Sequence, residues 1–223
     1  MVFLLVLVIT IAVAFALRNP LKEMPWVFYA AATVVVVLLF LGVNDFLGPW
    51  WKPLLLLIQR CMVPLALFTL VMFIGVLPKT SKAALWLRPV RAELSIVACI
   101  LCLGHVCMYL GTYATRVFSG SMRATTLISF CIALVLFILL LILGITSFNF
   151  IKRHMSTHAW KNVQRFAYVF FMLTYVHLMF ILLPAALQGG EQAKLSVIIY
   201  TLLFASYGIL RILRAYRDKT CES

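Results

Sequence analysis

Long apolar runs separated by short polar breaks repeat along the whole chain. A helix needs about 20 apolar residues to cross the hydrocarbon core of a bilayer. Seven windows are read as such spans, at roughly 1–17, 26–47, 54–77, 94–115, 125–149, 162–186 and 195–213. The breaks are Arg18-Asn19-Pro20, Gly48-Pro49, Pro78-Lys79, the stretch from Arg116 to Arg123, Lys152-Arg153 and Gly189-Gly190-Glu191. Pro, Gly and charged residues of this kind end helices. Pro64 stands alone inside the third run, which is read as continuous. The first run has the length of a signal peptide. It lacks a basic segment ahead of it, and Arg18-Asn19-Pro20 is no small-residue cleavage site, so it is read as a retained span.

Composition excludes several function classes. The chain of 223 residues is 65% hydrophobic and 11% charged, with a mean hydropathy of +1.11. Soluble domains carry roughly 45–50% apolar and about 25% charged residues. Soluble enzymes, disordered tails and nucleic-acid-binding domains are therefore excluded, and an all-α integral membrane protein surrounded by lipid is expected. The net charge of +13 does not call for nucleic acid, because the basic residues lie between apolar runs. Fourteen of the nineteen Lys and Arg fall on one side, within residues 18–22, 79–91, 152–165 and 211–219. Lys52, Arg60, Arg116, Arg123 and Lys194 fall on the other. The positive-inside rule puts the larger group in the cytoplasm, with the N-terminus outside and the C-terminus inside.

Polar side chains within spans are costly and mark function. His105 and His177 both sit in apolar surroundings, on spans that run in the same direction. His105 is 12 residues beyond Glu93 and His177 is 16 beyond Lys161, or about 18 and 24 Å at 1.5 Å per residue. Two imidazoles near one depth would hold a flat macrocycle from both faces. Gly104 and Gly111 would remove side-chain bulk where the ring approaches. An iron with both axial positions filled has no open site for oxygen, so its task is electron transfer. The alternative is that each histidine simply hydrogen-bonds a carbonyl or a neighbouring Thr or Tyr.

The other candidates carry less. Cys61, Cys99, Cys102, Cys107 and Cys131 lie in apolar runs, where cysteine acts as a small hydrophobe. The Cys99-x-x-Cys102 pair lacks the following histidine of covalent haem attachment. His154 and His158, four residues apart in a cytoplasmic loop, would share a face of one helix, but solvation suits them better than metal. Arg60, inside the outer end of the third span, either pairs with a haem propionate or snorkels to the interface. Gln59 beside it serves a quinol or has no role. Trp50, Trp51, Trp86 and Trp160 sit where interfacial aromatic belts occur.

Several of these residues also form a recognisable series. Arg91-Ala92-Glu93-Leu94-Ser95 is followed by Leu103-Gly104-His105-Val106-Cys107-Met108-Tyr109 and by Gly144-Ile145-Thr146-Ser147. Trp160-Lys161-Asn162-Val163-Gln164-Arg165-Phe166-Ala167-Tyr168 and then His177 complete it. From about Trp51 to Arg217 the chain resembles the ferric-reductase-like transmembrane domain, and within it the MsrQ/YedZ-type haem-binding membrane subunits. The resemblance implies a six-helix bundle over residues 26–217, with His105 and His177 as axial ligands of haem b iron, in a bacterial cytoplasmic membrane. It leaves residues 1–25 as an extra N-terminal transmembrane helix and loop, and 218–223 as a short cytoplasmic tail. Two departures stand out. The family has a further histidine thirteen residues before the one matching His177, and here that position is Gln164. The extra first span is also absent from the family.

One haem b is therefore expected; no residue specifies a second haem or an FMN. The expected function is an electron-transfer subunit. Its donor would be membrane quinol or a cytoplasmic flavoprotein, and its acceptor an extracytoplasmic redox protein. The chain carries no Gly-rich dinucleotide fingerprint. A non-redox scaffold or assembly factor on the same fold is the alternative, and a small transporter a weaker one, since paired helix interruptions are not seen.

Overall fold

The computed structural model describes residues 2–41, 51–78 and 80–220. The break at Gly48-Pro49, Trp50, Lys79 and the last part of the second predicted span lie outside the described residues. Within them the chain is all helical. In order come α1 (Val2–Ala16), α2 (Arg18–Glu23), α3 (Pro25–Phe40), α4 (Trp51–Gln59), α5 (Met62–Val76) and α6 (Lys82–Leu87). A 3-10 turn at Arg88–Val90 leads into α7 (Arg91–Phe118), then α8 (Ala124–Ser147), α9 (Asn149–Arg153), α10 (Thr157–Leu187) and α11 (Glu191–Thr220).

Among the described residues, four helical stretches are long and apolar enough to cross a membrane: Lys82–Phe118, α8, α10 and α11. The bent pair of α4 and α5 makes a fifth if it is one span. The first two predicted spans correspond to α1 and α3, apolar helices of 15 and 16 residues. At 1.5 Å per residue these reach about 22–24 Å, short of a hydrocarbon core of about 30 Å.

The ends of α7 and α10 follow the glycines that the sequence marks. Gly120 and Gly189 take left-handed φ values of 65° and 92°. After α7, the Gly120 N–H donates to the Val117 carbonyl and the Ser121 N–H to that of Arg116. After α10, Gly189 donates to Ala186 and Gly190 to Ala185. Both are Schellman caps, which need a residue tolerant of positive φ. At the other end of α10, the Ser156 side chain accepts from the Ala159 N–H at 3.2 Å.

The third predicted span is not continuous: α4 and α5 meet at 58°. Pro64 gives the reason. It has no N–H to donate to the carbonyl of Arg60, and its ring would strike that carbonyl in an unbroken helix. The chain turns instead at Cys61, the one described non-glycine residue with positive φ, at 58°. Pro64 then falls in the first turn of α5, where no N–H is missed.

Helix α5 is the centre of the bundle, with ten of its fifteen residues buried. It packs against α1, α4, α7 and α11, while α7 also touches α3 and α8, and α10 lies against α8 and α11. Phe171 of α10 is fully buried and stacks on Phe204 of α11 with centroids 4.4 Å apart. The first helix is built into this core: Phe3 and Val6 are buried, and the Phe3 ring lies 4.8 Å from Tyr200. Large apolar side chains remain exposed along α1, α8, α10 and α11. An apolar exterior of that extent is stable against lipid rather than water.

Candidate functional site

The break between α4 and α5 builds one half of the site. With no N–H of α5 bonded to it, the Gln59 carbonyl points to α7, where His105 Nδ1 donates to it at 2.6 Å. The second half lies across the bundle on α8 and α10. His177 Nδ1 is 3.1 Å from the Ser129 carbonyl and 3.0 Å from the Ser129 hydroxyl oxygen. Ser129 is only 3% exposed, between the apolar Ile128 and Phe130.

A carbonyl oxygen only accepts, so His105 carries its proton on Nδ1, and His177 does so in the tautomer that donates to the Ser129 carbonyl rather than accepting from the Ser129 hydroxyl. In neutral rings that leaves each Nε2 as a bare lone pair, with no hydrogen-bond partner among the described residues. A carbonyl on the far nitrogen is the usual way a metal-binding histidine is held in tautomer and orientation. The two rings sit at matched positions on their helices. His105 is 14 residues beyond Arg91 and His177 is 13 beyond Gln164, about 21 and 20 Å along the axes, and Arg91 and Gln164 line one cavity. The donor set fits a haem iron held by two neutral imidazoles.

Rings continue from His105 along α7. Tyr109 is 5.0 Å from the His105 ring, Tyr113 is 5.9 Å from Tyr109, and Phe130 of α8 stacks on Tyr113 at 6.3 Å. Arg116 lies over the outer face of Tyr113 at 5.9 Å. The buried Cys102 stands one turn before His105, with its sulfur 3.8 Å from that of Cys61.

Several sequence expectations are corrected. Gly104 does not face the gap between the histidines. A Cβ there would lie 3.2 Å from Val36 and 3.3 Å from Leu39, so Gly104 lets α3 close on α7. Gly111 has nothing within 4 Å of such a Cβ. His154 and His158 do not share a helix, because α9 ends at Arg153 and α10 starts at Thr157. His154 Nδ1 is 2.8 Å from the Phe150 carbonyl, and Asn162 Nδ2 is 3.4 Å from His158 Nδ1. Trp160 does more than line an interface, since its Nε1–H donates to the Thr146 carbonyl at 3.0 Å and ties α10 to α8.

Gln164 donates from Nε2 to the Thr146 hydroxyl at 3.1 Å, and that hydroxyl donates onward to the Ile142 carbonyl. The Gly144 to Ser147 and Trp160 to Gln164 motifs are thus parts of one helix junction. Gly144 lets α8 approach Cys99, whose sulfur would lie 3.2 Å from an added Cβ. Arg60 is exposed at the α4–α5 break, beside the carbonyl that holds His105. Ser129 and the Gln59 carbonyl are the functional groups that the sequence reading missed. A hydroxyl in the run Leu127-Ile128-Ser129-Phe130 was the available signal for the first, while a backbone carbonyl carries none.

No family model matches the chain, and no solved structure matches it. It is similar to a protein of Treponema pallidum (strain Nichols) described as an uncharacterized protein. The two are 42% identical over 152 residues, which make up 67% of this chain. The chain spans 42% of that protein's length.

Proposed function

We propose that the chain is a b-type haem electron-transfer subunit of a bacterial cytoplasmic membrane. It would cross the membrane seven times, with the N-terminus outside, the short helices α1 and α3 crossing where the bilayer thins to match them. The observation that carries the reading is the pairing of His105 with the Gln59 carbonyl and of His177 with Ser129. The Gln59 pairing holds His105 with Nε2 free to bind iron, and the Ser129 carbonyl does the same for His177 in its Nδ1–H tautomer. A satisfied hydrogen bond alone would not require both free nitrogens to belong to rings at matched depth.

Haem b supplies one-electron chemistry when bound. The protein's own residues hold and orient it. His105 and His177 would hold the iron through their Nε2 atoms, and two imidazole ligands would leave it suited to electron transfer rather than oxygen chemistry. The apolar flanks of α7 and α10 keep the surroundings dry. Arg60, exposed next to Gln59 in the chain, would neutralise a propionate. The row Tyr109, Tyr113 and Phe130 leads from His105 to the end of α7 that the charge rule places outside. That direction supports electrons arriving from quinol, or from a cytoplasmic flavoprotein, and leaving to an extracytoplasmic redox protein. Gln164 is held by Thr146 and brings no imidazole to the cytoplasmic end, which supports a single haem.

The test is an oxidised and dithionite-reduced visible spectrum of the purified protein with haem quantified per chain. A low-spin b-type spectrum at about one haem per polypeptide, lost in both His105→Ala and His177→Ala, is expected. Absence of haem after expression with ample haem supply refutes the reading and leaves a membrane scaffold on this fold.

A further inference from the structure

About 20 Å along α7 and α10 from the two imidazoles, a cavity of about 500 Å³ opens among α5, α7, α8, α9 and α10. That lies within the range of ~300–1,000 Å³ usual for ligand sites. Five cations line it, Arg88, Arg91, Lys152, Lys161 and Arg165, and no carboxylate does. None of the five forms an ion pair with a described residue. The floor is of another kind: Phe68, Val71, Leu140, Leu143, Phe170 and Phe171.

The positive-inside rule accounts for basic residues near this end of the helices, but not for their convergence on one apolar-floored cavity. Like charges around a shared low-dielectric space repel one another. An anion held between them removes that penalty. Arg91 is positioned for the task, with its guanidinium packed on Gly75 of α5, where an added Cβ would lie 3.2 Å from Nη2. Lys152 lies over the Trp160 ring at 4.5 Å, which sets an ammonium at the rim. An occupant that satisfies both parts has a phosphate at one end and hydrocarbon at the other. Arg matches phosphate geometry, and basic pockets between helices at the cytoplasmic face take lipid headgroups.

We infer that this cavity binds an anionic phospholipid of the adjoining leaflet, its phosphate among Arg88, Arg91 and Lys161 and its acyl carbons along the Phe68 and Phe170 floor. The inference rests on the membrane-spanning reading of the bundle and is independent of haem.

The test uses the full chain in phosphatidylcholine nanodiscs, titrated with phosphatidylglycerol and followed by native mass spectrometry. One phosphatidylglycerol per chain, retained at least tenfold more tightly than added phosphatidylcholine, is expected. Arg88→Gln with Arg91→Gln should weaken retention at least tenfold. The exposed pair Lys152→Gln with Lys161→Gln should weaken it several-fold without touching the buried packing, while Arg123→Gln should change nothing. Equal retention of the two lipids, or full retention in both double variants, overturns the proposal. So does soluble glycerol 3-phosphate binding as tightly as phosphatidylglycerol, which would assign the site to a free phosphate compound. Haem per chain is read on the same samples. Lipid loss with haem retained concerns this cavity alone, and haem absence with lipid retained concerns the electron-transfer reading alone.

Discussion

His105 Nδ1 lies 2.6 Å from the carbonyl oxygen of Gln59, a carbonyl available because α4 ends at that residue. Within a continuous helix it would accept the Val63 N–H instead. Pro64 prevents that continuity, so a proline on one helix determines how a histidine on another is oriented.

Pro64→Ala should therefore weaken haem binding without touching a ligand. Restoring the N–H lets α4 and α5 join and returns the Gln59 carbonyl to the helix ladder. Loss of an outer hydrogen bond to a metal-bound histidine typically costs 10–100-fold in affinity. Haem titration of the apoprotein should show at least a tenfold weaker Kd with helical circular dichroism preserved. An unchanged Kd would detach the break from the site.

Ser129→Ala should have a smaller effect. The Ser129 carbonyl still accepts from His177 Nδ1, and only the hydroxyl at 3.0 Å is lost. A net hydrogen bond is worth about 1 kcal/mol, so haem affinity should fall by less than tenfold. A fall as large as that of His177→Ala would make the hydroxyl the principal anchor.

Gln164→Ala should leave haem content per chain unchanged. Its amide bonds Thr146 at the α8–α10 junction and lies about 20 Å along α10 from His177. Loss of half the haem in this variant would mean that a second haem exists near the cavity.

Gly104→Leu should destabilise the fold, since α3 stands 3.2 Å from even the first added carbon. Overpacking of this kind costs about 1–3 kcal/mol. Gly111→Ala, with open space around its Cβ, should be neutral or slightly stabilising. Thermal unfolding in detergent separates the two. Equal midpoints would place the α3–α7 contact elsewhere.

Mild oxidation should join Cys61 to Cys102, whose sulfurs are 3.8 Å apart. Peptide mapping after copper–phenanthroline treatment should recover a fragment of the α4–α5 break linked to one of α7. Recovery of Cys99 in that link instead would rule out the observed facing of α7.

The apolar runs and their glycines made the helices legible. Gly120 and Gly189 end α7 and α10 because a left-handed residue was needed there and glycine adopts it without cost. His105 and His177 were legible as a pair, because an imidazole in an apolar span is expensive wherever the helices go. Pro64 marks the α4–α5 break, yet hydropathy over residues 54–77 is continuous, since it averages over a proline that backbone hydrogen bonding cannot accommodate.

Sequence alone thus determined an all-helical, lipid-facing chain with two costly histidines, properties set by local transfer free energy and chain geometry. Tertiary structure alone decided that Gln59 and Ser129 hold those histidines, that Gly104 faces α3 rather than a ring, and that five cations share one cavity. These depend on which faces of distant helices meet, and residues 46 or 48 positions apart become neighbours only when the bundle closes.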